Sequence, residues 1–278
     1  MSGLLNILTE SVNEVPRIEF PNLFDKSIIV NRVAFNLFGV DIYWYGVIIA
    51  VGVILAFIYA MHKCKQFGLI PDHVFDVAFV AIIFGFIGAR AYYCIFIDTD
   101  INFFDLRHGG LAIYGGIIAA AIAAAITCVI HKVNLPAMFD VGGLGLLIGQ
   151  CIGRWGNFVN QEAYGNLITN PDLQFFPYGV YIEELGQWHQ ATFFYESALN
   201  TLLLIVMLIS YPHFRKKGYL LPFYMIGYGV IRCFVEGLRT DSLYLMPGVR
   251  VSQVLSGCLV LLGVLLIGII RRRQDIQA

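Results

Sequence analysis

Six long apolar runs, at 43–61, 75–97, 111–130, 193–211, 219–236 and 251–270, constrain this chain more than any other feature. Crossing a bilayer takes ~20 consecutive apolar residues, because a helix of that length closes all its own backbone hydrogen bonds where no water is present to do so. A shorter run at 138–152 is rich in glycine (Gly142, Gly143, Gly145, Gly149), leads directly into Gly153 and Arg154, and so suits close helix packing and extension into the polar stretch. It is counted as a seventh span. Only 13% of the residues are charged and 58% are hydrophobic, against roughly 25% charged in soluble domains. The expected fold class is therefore an all-α integral membrane protein with about seven transmembrane helices and an outward-facing polar loop region.

Seven spans put the two ends of the chain on opposite sides, and clustered positive charge marks the cytoplasmic one. Arg271, Arg272, Arg273 and the loop Arg215, Lys216, Lys217 fall on one side with Lys63, Lys65 and Lys132. The expected organisation is an extracytoplasmic arm over 1–42, a membrane domain over 43–270 and a basic cytoplasmic tail over 271–278. In the arm, Leu4, Leu5, Leu8 and Val12 suit either a short helix lying on the membrane surface or a partly ordered segment. No basic region and short apolar core follow Met1, so no cleavable signal peptide is expected. The first span directs insertion in this reading.

Several function classes drop out. A net charge of −1 with no basic face gives no case for nucleic acid. The six cysteines carry no C-x-x-C pair and no histidines at ligand spacing, so they are read as small core residues, with no metal. Phosphate-cradling and dinucleotide fingerprints are absent, so no cofactor is expected.

Polar residues inside apolar runs carry the remaining information, since a charge at mid-membrane costs about 2.5–3.5 kcal/mol on insertion scales. Asp76, Arg90, Asp140, Glu196, Arg232 and Glu236 are such residues. Arg232 and Glu236 stand four apart, on one helical face, and Arg239 extends that face outward as a spare cation. At the end of the seventh run, Arg154, Asn157, Asn160 and Glu162 offer a donor fork, two amides and a carboxylate among glycines. That set suits a ligand bearing both phosphate and hydroxyl groups, because guanidinium binds phosphate oxygens bidentately. A glycine-rich re-entrant turn whose polar groups satisfy only its own backbone remains the alternative. A second glycine-rich patch, 107–116, holds His108 and Tyr114, and Tyr43, Trp44 and Tyr45 open the first span as an aromatic belt would.

The stretch 153–165, GRWGNFVNQEAYG, resembles the signature of the bacterial prolipoprotein diacylglyceryl transferases. Trp44-Tyr45-Gly46, Gly88-Ala89-Arg90, Gly109-Gly110, Gly115-Gly116, Thr192-Phe193-Phe194-Tyr195-Glu196, Tyr228-Gly229 with Arg232, Glu236 and Arg239, and Gln253 support it in order, from about residue 30 onward. The resemblance implies a multi-pass enzyme of the bacterial plasma membrane, N-terminus outside, that moves the diacylglyceryl group of phosphatidylglycerol onto the lipobox cysteine of a prolipoprotein still carrying its signal peptide. A thioether forms and glycerol 1-phosphate leaves; no cofactor is required, and a monomer is expected. On this reading Arg154 holds the phosphate. Asn157, Asn160 and Glu162 orient the headgroup, Arg232 meets developing negative charge under the guidance of Glu236, and Tyr45 closes the headgroup pocket.

Three departures from the family pattern stand out. Tyr114 occupies a position where many members have His, and a phenol of reference pKa ~10 is a poor base at neutral pH. The thiol proton then goes to solvent or the headgroup region with help from arginine, or to His108. His189-Gln190-Ala191 stands where His-Pro is common, so no role passes to His189. The initial arm has no counterpart. The competing readings are a transporter or channel for an anionic solute, lined by Arg90, Arg154 and Arg232, and a lipid-binding scaffold without turnover.

Overall fold

The computed structural model describes residues 17–23, 26–98, 101–105, 110–214 and 218–277. The proposed surface stripe at Leu4–Val12, the loop cations Arg215, Lys216 and Lys217, and His108 lie outside them. Seven helices among the described residues are long and apolar enough to span a bilayer. They are α1 (Trp44–Lys63), α2 (Pro71–Phe96), α3 (Ile113–Ile130), α4 (Leu135–Asn160), α5 (Thr192–Phe214), α6 (Leu220–Leu238) and α7 (Val251–Gln277). Pro71 starts α2, where its fixed φ and missing N–H cost nothing, and Ile70 before it is extended. Only 6% of the apolar window of α1 and 11% of that of α7 is buried, which is the exposure expected of helices whose solvent is lipid.

Two features sharpen the sequence reading. The run at 138–152 is one segment of a 26-residue helix that continues to Asn160, so the first part of the polar signature is helical, neither loop nor re-entrant turn. The arm contains strands: β1 (Arg17–Leu23) pairs antiparallel with β2 (Lys26–Asn31), and β3 (Val33–Leu37) with β4 (Val40–Tyr43), which runs straight into α1. Phe38 and Gly39 both take positive φ at the tip of the second hairpin, 50° and 81°, as a tight two-residue turn requires. Further hairpins form from β5 (Gly179–Ile182) with β6 (Gln187–Gln190), and from β7 (Tyr244–Met246) with β8 (Val249–Arg250).

The chain divides into two compact units. The first comprises residues 1–56, 146–209 and 222–269. Its soluble-like core is the β5–β6 hairpin, where Val180, Ile182, Ala191 and Phe193 are buried against Phe158, Tyr164, Phe176, Phe194 and Tyr195. The aromatic richness of 175–188 thus produces an ordered cap.

The second unit comprises residues 57–145, 210–221 and 270–278. Here α2 and α3 cross at Gly88 and Gly115, where a Cβ on Gly88 would lie 2.7 Å from the Gly115 carbonyl oxygen. Small residues permit that approach, which supplies the packing that lipid cannot. Two intramembrane charges are explained locally. Arg90, 1% exposed, donates to the carbonyls of Asn102, Phe103, Asp105 and Gly110 at 2.5–2.9 Å and pins that loop to α2. Asp140 Oδ1 accepts from the Leu221 N–H at 2.9 Å, satisfying an amide that the first turn of α6 leaves without an intrahelical partner. All six cysteines are free thiols; Cys64 and Cys128 are buried, whereas Cys233 and Cys258 sit on exposed helix faces and are not core residues.

Candidate active site

Three helices of the first unit converge on one carboxylate. Arg154 comes from the C-terminal part of α4, Glu196 from the second turn of α5, and Arg232 from α6. Glu196 Oε1 accepts from Arg154 Nη2 at 2.6 Å, and Oε2 from Arg232 Nη1 at 3.0 Å. Arg232 Nη2 also meets Glu236 Oε2 at 2.6 Å, across one helical turn. Both glutamate side chains are only 2% exposed, while those of Arg154 and Arg232 retain 20% and 14%. Buried carboxylates need partners to remain charged, and here Glu196 ties two guanidiniums to one side chain. Tyr228, one turn before Arg232, places its Oη 3.5 Å from Glu196 Oε1.

The remaining signature residues form a second polar set beside Arg154. Arg154 Nη1 donates to Asn157 Oδ1 at 3.4 Å, Asn157 Nδ2 to Glu162 Oε1 at 2.8 Å, and Asn160 Nδ2 to the same oxygen at 3.5 Å. Glu162 is exposed. The backbone carrying it is held in an uncommon shape: Gln161 and Ala163 have φ of 51° and 58°. Non-glycine residues in that region store strain on the order of 1–3 kcal/mol each, so surrounding contacts must impose it. They are visible. Gln161 Nε2 donates to the Tyr181 carbonyl at 3.1 Å while its Oε1 accepts from the Glu183 N–H at 3.0 Å, and the Thr192 hydroxyl donates to the Ala163 carbonyl. The β5–β6 hairpin therefore shapes the signature.

Two glycines are sterically required. A Cβ on Gly156 would lie 2.6 Å from Tyr45 Cδ2, so the Tyr45 ring packs on the α4 backbone. On Gly165 it would meet Thr192 Cγ2 at 2.8 Å, Gln190 Cβ at 2.9 Å and the Leu238 carbonyl at 3.0 Å. Gly165 also bridges to the Arg239 backbone, which seats the end of the signature against the end of α6.

Arg239 is not a spare cation. It holds Asp241 through Nε and Nη2 at 2.9 and 2.7 Å. Burial alone would raise the Asp241 carboxyl, but the hydrogen bonds and charge of Arg239 outweigh it and hold the pKa below the usual value. Arg154, Glu196 and Arg239, with Ala163, Thr192, Phe193 and Val235, line one cleft.

Of the residues expected from the sequence, the structure brings Arg154, Asn157, Asn160, Glu162, Tyr45, Arg232, Glu236 and Arg239 into one unit. Tyr114 stands in the first turn of α3, 41% exposed, in the other. The sequence reading missed Glu196 as the hub, the contact of Tyr228, and Arg32, whose Nη2 donates to the Asn160 carbonyl at 3.3 Å and brings the arm to the site. His189 is structural, its Nδ1 2.8 Å from the Gly165 carbonyl. Among the described residues no group of three or more His, Cys, Asp or Glu could hold a metal.

Residues 32–269 match the family model of prolipoprotein diacylglyceryl transferase. The chain is 42% identical over 245 residues to a phosphatidylglycerol–prolipoprotein diacylglyceryl transferase of Finegoldia magna, covering 85% of this chain and 94% of that relative. It is 39% identical to the Enterococcus faecalis protein of the same name over 88% of this chain and 92% of the relative, and 38% identical to that of Staphylococcus xylosus over 87% and 90%. Such identity over most of both lengths places the site just described in a known lineage of transferases: the chain belongs to the prolipoprotein diacylglyceryl transferase family.

Proposed function

We propose that this membrane enzyme transfers the diacylglyceryl group of phosphatidylglycerol to the lipobox cysteine thiol of a prolipoprotein. The observation that carries the reading is the pair of arginines, Arg154 and Arg232, held by the buried Glu196 while 20% and 14% of their side chains stay exposed. A phosphodiester spreads one negative charge over its two non-bridging oxygens, and preorganised guanidiniums bind it and the further charge that develops as it leaves. Asn157, Asn160 and Glu162 then meet the hydroxyls of the headgroup glycerol, and Tyr45 closes over it.

In the reaction a sulfur–carbon bond forms at the terminal carbon of the diacylglyceryl group and the bond from that carbon to the phosphate oxygen breaks. Glycerol 1-phosphate departs with the electron pair. A free thiol has pKa ~8.5 and reacts as the thiolate. Its proton ends on the phosphomonoester, whose second pKa is ≈ 6, or in water, and the arginine field favours the anionic sulfur near the site. Tyr114 at the family's histidine position contributes polarity and no base. The positive-charge pattern supports a signature facing outward and Arg271–Arg273 in the cytoplasm of a bacterium, and a monomer suffices for the chemistry.

The test is purified protein with phosphatidylglycerol and a lipobox peptide, read by mass spectrometry. The peptide gains one diacylglyceryl mass. A peptide unchanged under conditions where a known family member works overturns the proposal and favours an anion path instead.

A further inference from the structure

A second polar layer lies one helical turn from the arginines on each of the three helices. Gln150 precedes Arg154 by four residues on α4, Asn200 follows Glu196 by four on α5, and Tyr224 precedes Tyr228 by four on α6. Because α4 and α6 run opposite to α5, all three offsets point the same way along the bundle. The Ser197 hydroxyl donating to the Cys151 carbonyl at 2.7 Å fixes α4 and α5 level there. Gln150 Nε2 donates to Tyr224 Oη at 2.8 Å, and the Tyr224 and Tyr228 rings stack parallel, 5.7 Å apart.

The layer is under-satisfied. Asn200 is 0% exposed, yet neither its carboxamide oxygen nor its nitrogen meets a hydrogen-bond partner, and Gln150 Oε1 meets none. Buried polar groups left this way are costly and call for an explanation. Tyr224 Oη already accepts from Gln150, so its own hydrogen is turned elsewhere as a donor, and Asn200 Nδ2 supplies two more. Gln150 and Tyr228 are only partly buried, so the seam is open at its edge.

Resting on the reading of the arginine layer as the phosphate site, we infer that Asn200 and Tyr224 form a subsite for an ester carbonyl of the diacylglyceryl donor. Four helical residues rise about 6 Å. An ester carbonyl oxygen of a diacylglycerophospholipid lies six bonds from phosphorus, roughly 5–7 Å with standard bond lengths and staggered torsions. A donor whose phosphate sits at Arg154 and Arg232, and whose chains continue into the bundle, thus brings its carbonyl to the layer where Asn200 Nδ2 lacks an acceptor. The subsite reads the linkage between glycerol and chain, and favours ester lipids over ether lipids.

The experiment compares diacyl phosphatidylglycerol with its dialkyl ether analogue of equal chain length, with one lipobox peptide as acceptor. The wild-type KM is expected to be about fivefold lower for the ester, the scale of one net hydrogen bond, with kcat within about twofold. Asn200→Leu and Tyr224→Phe raise the ester KM to that of the ether and leave the ether KM unchanged. Equal KM values for the two lipids in the wild type overturn the inference, as do variants that impair both lipids by the same factor. The wild-type comparison needs no variant to fold. Turnover of neither lipid defeats the transferase reading itself; turnover of both alike defeats only the subsite.

Discussion

Glu196→Gln removes one charge from a site where two cations depend on it. Glu196 bridges Arg154 at 2.6 Å and Arg232 at 3.0 Å with 2% of its side chain exposed. Removing one partner of a buried ion pair costs about 3–5 kcal/mol, because the other charge stays buried and uncompensated. Arg232 keeps Glu236 and the Gln amide oxygen still accepts one hydrogen bond, so the lower end, about 3 kcal/mol, applies. At about 2–4 °C per kcal/mol the melting midpoint should fall by roughly 6–12 °C. Function should split in a way a purely structural pair would not produce. With surplus positive charge, the variant binds anionic phosphatidylglycerol at least as tightly, so KM is unchanged or lower. Without the fork that aligns both guanidiniums on the leaving phosphate, kcat falls by about 10²-fold, the scale of one lost charge-stabilising donor. Phosphatidylglycerol should also raise the melting midpoint of the variant more than that of the wild type. Thermal unfolding in detergent and steady-state transfer to a lipobox peptide measure all three. A variant that melts within about 2 °C of wild type, or loses turnover through a raised KM alone, refutes the reasoning.

Arg154→Lys should lose at least about 10²-fold in turnover despite keeping its charge, because a point cation cannot hold Glu196 and the phosphate as a planar fork does; near-normal kcat would show that charge alone suffices. Gly165→Ala forces its Cβ to 2.9 Å from Gln190 Cβ and 3.0 Å from the Leu238 carbonyl, and overpacking of this kind costs about 1–3 kcal/mol, visible as a lower melting midpoint with reduced activity. The Asp241 carboxyl is held below its usual pKa by Arg239. Its contribution is therefore present above the unfolded value and lost only as pH falls through the lower folded value, and Asp241→Asn should shift the melting midpoint equally at pH 5.5 and 8, about one unit and more above the reference carboxylate range. His108→Ala should retain most turnover in the peptide assay; a folded but inactive variant would move the base to His108.

The seven spans were legible because membrane thickness dictates helix length, and apolar runs of that length have few other uses. The continuation of α4 was less so. Arg154 and Asn157 are polar enough to read as loop, although their spacing after Gln150, four and then three residues, keeps all three on one helical face. The Arg232–Glu236 pair was legible from its own spacing. Glu196 was visible only as an expensive charge, since its partners lie 42 and 36 residues away on other helices and no local pattern encodes them. The hairpins escaped for a different reason: strands β1 to β4 are short and lie before the first apolar run, where membrane reasoning makes no demand. Asn36 and Asp41, whose side chains bond at 2.7 Å across the turn, with Gly39 between them, were the available signal.

The central claim is that Arg154 and Arg232 hold a phosphate that leaves while the adjoining carbon is attacked. Phosphatidylglycerol carrying ¹⁸O at the oxygen between the diacylglyceryl carbon and phosphorus tests it in a single turnover with the lipobox peptide. The label should appear entirely in released glycerol phosphate, with the thioether peptide unlabelled. Label recovered in free diacylglycerol would mean cleavage on the phosphorus side and would contradict the assignment of the arginine pair.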